Sequence, residues 1–195
     1  MNPIIKIAGI DPSLRNTGLS LASYNIETGD WSVSKIGIVQ TENQSGKQVR
    51  KSSDDYRSAR ELIIGVNKFV VEHGVSFVCA EVPTGAQSAR AAFSNGVCCG
   101  VLAAVPVPLI QVSPTEVKMA SVGNRTASKA QMIAWAMGKW PEAGWLTRKL
   151  KGAIVPLNDN EHPADACAAI AAGIETVQFA QALAMMASMR AVSKV

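Results

Sequence analysis

The sequence predicts a mixed α/β domain: a five-stranded sheet, three antiparallel strands followed by two parallel ones, flanked by helices. Three observations carry this. Short apolar runs lie close together at Pro3–Asp11, Thr17–Tyr24 and Trp31–Val39. Two more, at Val75–Ala80 and Val107–Val112, each follow a segment of helical character. Strands joined by tight turns run antiparallel, whereas strands joined through helices run parallel.

The first strand holds Ile4, Ile5, Ile7 and Ile10 and ends in Gly9-Ile10-Asp11-Pro12. Pro12 lacks an N–H, so the ladder stops there. The second and third strands alternate loosely around a turn at Glu27-Thr28-Gly29-Asp30. Gln40–Asp55 is polar, with Gly46, Lys47, Arg50 and Lys51, and reads as an exposed loop that offers cations to an anionic partner. A helix is predicted over Tyr56–His73, from Leu62, Ile63, Val66, Phe69 and Val70, with Gly74 as its C-cap and His73 as a partner for its dipole. The fourth strand ends at Glu81-Val82-Pro83, and a second helix spans Ala86–Ala104. Ser113-Pro114-Thr115-Glu116 starts a further helix after the fifth strand. Ser128–Met137 is helical, Gly138–Asn160 irregular, and Pro163–Met189 one long Ala- and Met-rich helix. Met185, Met186 and Met189 near its end suit core or a subunit interface.

The chain has 195 residues, 48% of them apolar and 17% charged, a formal charge of +4 and a mean hydropathy of +0.14. This excludes a disordered chain and fits a single domain over residues 1–195. The longest apolar run, Val97–Val112, is too short for a membrane span and is broken by Pro106 and Pro108. Ile4–Ile10 is too short for a signal peptide. The expectation is a soluble intracellular protein. Cys79, Cys98, Cys99 and Cys167 lack metal-site spacing and read as reduced core thiols. A pI near 9.0 leans toward a polyanionic partner.

The chemistry lies where strands stop. Sites in open sheets form at the carboxyl ends of parallel strands. Asp11 and Glu81 both stand at such ends, and two apolar strands running into carboxylates invite a cation between them. In Asn158-Asp159-Asn160-Glu161-His162-Pro163-Ala164-Asp165, Pro163 at the first helical position makes His162 the N-cap by position. His162 and Asp165, three apart, share one helix face. Asp165 as a simple partner of the helix dipole is the alternative.

These residues carry a resemblance. Gly9-Ile10-Asp11-Pro12-Ser13-Leu14-Arg15-Asn16-Thr17-Gly18 resembles the first motif of RuvC-type Holliday-junction resolvases, and Cys79-Ala80-Glu81 their strand-four motif. Ser128-Lys129-Ala130-Gln131 resembles the lysine-bearing segment. His162-Pro163-Ala164-Asp165-Ala166 resembles the closing motif with His in place of the first Asp. The motifs stand in the family's order over about residues 4–175. The resemblance implies an RNase H-like fold and a homodimeric, metal-dependent endonuclease that cuts branched DNA such as four-way junctions, leaving 5′-phosphate and 3′-hydroxyl ends. It implies Asp11, Glu81, His162 and Asp165 as the catalytic and metal-binding set, and Lys129 and Lys118 as phosphate contacts. Two Mg²⁺ or Mn²⁺ ions about 3.5–4 Å apart fit in-line phosphodiester cleavage, and carboxylates suit hard ions. Imidazole suits transition metals better, so manganese should serve at least as well as magnesium. His162 acting as a general base is the other role open to it.

The sequence departs from the family pattern after Glu81. No aromatic wedge follows until Phe93, so Gln87, Ser88 and Arg90 stand as candidate DNA contacts in its place, against an ordinary polar helix face. Lys139–Glu161 is longer than its counterpart and places Trp140 and Trp145 beside Arg148, Lys149 and Lys151. Basic residues among aromatics suit nucleic acid; the alternative is that both Trp pack the loop onto the body. A compact chain with this closing motif also fits a phage-borne protein acting in a bacterial host. Three rivals stay open: a nuclease on forks, flaps or RNA–DNA hybrids, a branched-DNA-binding protein that does not cut, and an actin-like kinase. For the last, the chain is short and lacks a second phosphate loop.

Overall fold

The computed structural model describes residues 3–42 and 50–192. Lys47 and Gly46 of the basic loop lie outside the described residues. Strands β1 (Ile4–Asp11), β2 (Asn16–Asn25) and β3 (Trp31–Gln40) form an antiparallel meander. Helix α1 (Lys51–Glu72) leads to β4 (Phe77–Glu81), and α2 (Ala89–Ala103) to β5 (Leu109–Val112). The strand order is β3-β2-β1-β4-β5, with β4 parallel to both β1 and β5. The predicted mixed sheet is the observed one, with β1 at its centre.

Alternation along β1 divides the core. Ala8 and Ile10 face one side, with Leu62, Val66 and Val70 of α1 and Val101 and Leu102 of α2. Ile5 and Ile7 face the other, with Cys167 and Ile170 of α5 (Glu161–Ile174). Helices α3 (Pro114–Ser121) and α4 (Lys129–Lys139) pack beside α5. Both start with a capping box, from Ser113 and Ser128.

Helix α5 is built of small residues, and the sheet answers with glycine. A Cβ on Gly9 would collide with the Ala166 carbonyl, and one on Gly18 with the His162 backbone. These two glycines let the helix lie directly on β1 and β2, and so bring its first turn to the end of β1.

Several expectations are corrected. Helix α1 begins at Lys51, not Tyr56. Asp54 and Asp55 are buried in its first turn, 3% and 6% exposed, and not in an exposed loop. Asp54 is held by Arg57 and Lys51 of its own helix and by Arg15 from the β1–β2 turn, and Asp55 by Lys51 and by Arg90 of α2; the two distant arginines are beyond local reading. Helix α2 begins at Ala89, because the Ser88 side chain caps it by accepting from the Ala91 N–H at 3.1 Å. The single long C-terminal helix is two, α5 and α6 (Val177–Val192), bent by 69°. Thr176 makes the break: its hydroxyl donates to the Gly173 carbonyl and accepts from the Phe179 N–H. That turn delivers Phe179 onto Tyr24 and Phe77.

The segment read as irregular contains a hairpin, β6 (Thr147–Leu150) and β7 (Ala153–Pro156), and a 3-10 turn at Asn158–Asn160. Trp140 and Trp145 are buried in the core, Trp140 against Trp31 and Trp135. The Trp145 indole donates to the Trp140 carbonyl at 2.8 Å. They pack the loop onto the body and are not free to stack on bases. Met186 packs against the core, while Met185 and Met189 are exposed. No single helix among the described residues is long and apolar enough to cross a membrane.

Candidate active site

Asp11 ends β1, and Glu81 ends β4. The register pairs Gly9 with Cys79 and Ile10 with Ala80, so the two carboxylates are the next residues of adjacent parallel strands. Helix α5 brings His162 and Asp165 to the same edge. The expected N-cap role of His162 is corrected. The 3-10 turn runs straight into the helix, Asn160 stands at the cap position, and His162 is the second residue of α5.

His162 Nδ1 lies 2.8 Å from Asp11 Oδ2, across 151 residues of sequence. This bond raises the imidazole pKa above its ordinary value, against the opposing effect of burial. Burial raises the Glu81 carboxyl, and the nearby Asp11 adds to the shift; Lys118 opposes it. Asp165 is pushed up to about 7, first by burial and then by Asp11 and Glu81. The three carboxylates thus repel one another in a half-buried cleft with too little positive charge.

Among the described residues, no three His, Cys, Asp or Glu donors stand arranged to hold an ion as they are. The His162 ring is bonded to Asp11 instead. The donor chemistry nonetheless fits a divalent cation. Oxygen ligands predominate, and the rise of Asp165 and Glu81 is the mark of carboxylates lacking a counter-charge.

Lysines flank the cleft. Lys118 on α3 lies near enough to Glu81 to act on its ionisation. Lys129, the first residue of α4, pairs with Glu161 at 2.8 Å. Glu161 also stands 3.5 Å from His162 Nε2. Sequence reading missed Glu161 as a site residue, although its place beside His162 was the available signal. The candidate contacts after Glu81 differ in what holds them. Gln87 is exposed, Ser88 is the cap of α2, and Arg90 binds both oxygens of Asp55 at 2.6 and 2.7 Å. Arg148, Lys149 and Lys151 are exposed on the β6–β7 hairpin. The thiols of Cys79, Cys98 and Cys167 are buried, which pushes them up to about 12, 11 and 12.

A mixed sheet with an acidic cluster at the carboxyl ends of its central strands is the RNase H-like arrangement. Residues 7–139 match the family model of the crossover junction endodeoxyribonuclease RuvC. The chain belongs to this family, and so to the junction-resolving endonucleases. Among solved structures it is similar to T. thermophilus RuvC in complex with a Holliday junction substrate. That likeness has a TM-score of 0.60 and 20% identity, and covers 86% of this chain and 92% of that one. The yeast mitochondrial Holliday junction resolvase Ydc2 matches with a TM-score of 0.53 and 13% identity, over 87% of this chain and 80% of that one. No curated protein matches closely enough in sequence to count as a relative.

Proposed function

We propose that the chain cuts branched DNA by metal-dependent phosphodiester hydrolysis at the Asp11–Glu81–His162–Asp165 cluster, leaving 5′-phosphate and 3′-hydroxyl ends. The observation that carries this is the meeting of four groups at one sheet edge: Asp11 and Glu81 end adjacent parallel strands, and α5 brings His162, 2.8 Å from Asp11, and Asp165 beside them. Asp165, raised to about 7 first by burial and then by Asp11 and Glu81, gains from a cation there. Asp11, Glu81 and Asp165 would hold Mg²⁺ or Mn²⁺, with His162 as a further ligand. When bound, two such ions activate the attacking water and stabilise the leaving oxygen. Asp11, bonded to His162 Nδ1, orients the imidazole, so that Nε2 is the nitrogen that would ligate the metal; its use as a general base is the alternative to that role. Lys118 and Lys129 balance the carboxylates and contact the phosphates beside the scissile bond; phosphate would compete with Glu161 for Lys129. Gln87, Ser88 and Arg90 are further DNA contacts in this reading, and phosphate would compete with Asp55 for Arg90.

A four-way junction has two-fold symmetry and needs two nicks. One chain carries one cluster, so we propose a homodimer acting as a two-fold pair. We place its work inside the cell, as a phage-borne protein that resolves branched DNA in a bacterial host.

The test uses end-labelled junction, fork, linear duplex and RNA–DNA hybrid, each with magnesium, manganese or chelator, beside Asp11→Asn. Symmetric paired nicks on the junction, lost in Asp11→Asn with binding retained, are expected. Preference for forks or hybrids would keep the chemistry and change the substrate. Tight junction binding without cleavage in either metal would refute the catalytic assignment.

A further inference from the structure

The β6–β7 hairpin belongs to neither layer of the domain. Among the described residues its strands pair only with each other, and all but Val155 of their residues are exposed. An isolated two-stranded hairpin is marginal in water. This one is shaped at both ends. Lys151 and Gly152 take φ of 48° and 85°, the positive pair that a two-residue type I′ turn requires. At the root, the Asn160 side chain is fully buried. It accepts from the Leu146 N–H at 2.9 Å and donates to the Leu146 carbonyl at 2.8 Å. The Leu157 N–H donates to the same carbonyl. Asn160 directly precedes Glu161 and His162, so the hairpin is fastened to the first turn of the catalytic helix.

Its cations are clustered on one exposed ribbon and are paired with no carboxylate among the described residues, as is also true of single cations such as Lys35 and Arg60. Arg15, Lys51, Arg57, Arg90 and Lys129 are each paired with a carboxylate. Arg148, Lys149 and Lys151 form no ion pair among the described residues. The register pairs Arg148 with Val155 and Lys149 with Ile154. Successive strand residues point to opposite faces, so Arg148 and Lys149 lie on opposite faces while Lys151 sits at the tip. Exposed Leu150 and Ile154 stand among them. A ribbon lying flat on an anionic surface would use one charged face. Cations on both faces and at the tip suit a ribbon between two rows of phosphate. DNA offers this in the major groove of a duplex, which admits a two-stranded ribbon, and between two arms at a branch.

We propose that the β6–β7 hairpin is a DNA-binding arm that inserts between two phosphate-lined walls beside the cleaved strand. This rests on the reading of the chain as a nuclease acting on DNA.

The test is the salt dependence of binding to a four-way junction and to linear duplex, in chelator so that nothing is cut. The chains compared are wild type, R148Q/K149Q/K151N and the control K35Q/R60Q/K68Q. Asn suits the positive φ at the turn, and melting curves matching wild type establish that the hairpin variant is folded. Each phosphate contact contributes about 0.9 to the slope of log K against log salt. Three lost contacts lower the slope by about 2–3 and the affinity on the order of 100-fold at about 0.1 M salt. The control should keep the wild-type slope. Loss on both substrates identifies a duplex groove, and loss on the junction alone identifies the space between arms; either supports the proposal. A hairpin variant with wild-type slope and affinity on both would overturn it and leave the nuclease reading intact. Wild type that binds neither DNA would overturn both.

Discussion

Removing the charge of Asp165 should change how the metal-free protein responds to pH. Its carboxyl moves from an ordinary 3.8 to about 7 on folding. The folded state therefore holds a proton that the unfolded state has released between those values. The stability gained is fully present below the unfolded pKa and lost as pH rises through about 7. At about 1.4 kcal/mol per unit, the whole shift is worth about 4 kcal/mol, of which about 3 kcal/mol falls between pH 5 and 8. The raised values of His162 and Glu81 act in the same direction. For a chain of this size, about 2–4 °C of Tm corresponds to each kcal/mol. In chelator, the wild-type Tm should fall by about 5–10 °C from pH 5 to pH 8, and saturating manganese should restore most of the loss. Asp165→Asn should flatten the profile by more than half and be the more stable protein at pH 8. The assay is thermal unfolding by circular dichroism across pH, with and without metal. A wild-type Tm that is flat or rising over this range, or an unchanged slope in Asp165→Asn, would refute the argument that these carboxylates lack a counter-charge.

Gly18→Ala places a methyl against the His162 backbone. It should cost about 1–3 kcal/mol and lower cleavage about 100-fold at saturating junction, while junction binding measured in chelator persists. Asn160→Ala leaves the Leu146 N–H and carbonyl without their side-chain partner; a loss of about 2–3 kcal/mol is expected in urea unfolding, and no change in midpoint would count against it. Manganese should support cleavage at least as well as magnesium, because an imidazole joins the ligand set; strong activity in magnesium with none in manganese would remove His162 from that set.

Much of this molecule was legible locally. Strand ends at Asp11 and Glu81, the helix start at Ser113, and the order of elements follow from periodicity, proline and capping chemistry within a few residues. The hairpin was partly legible: Lys151-Gly152 between Leu150 and Ala153-Ile154-Val155 is a turn signal weakened by lysine where Asn or Asp is usual. The break at Thr176 was hidden inside a run of good helix formers.

What the sequence by itself determined is the kind of sheet, the carboxylates that end its central strands, and the small residues of α5 that let a helix reach them. Tertiary structure alone decided which groups meet. Asp11 bonds to a histidine 151 residues away, and Arg90 is drawn to Asp55 across 35 residues. Trp140 and Trp145 turn into the core, while Arg148, Lys149 and Lys151 are left in solvent. The reason is physical: backbone preference is set by near neighbours, whereas burial and ion pairing depend on distances that exist only once the sheet has formed.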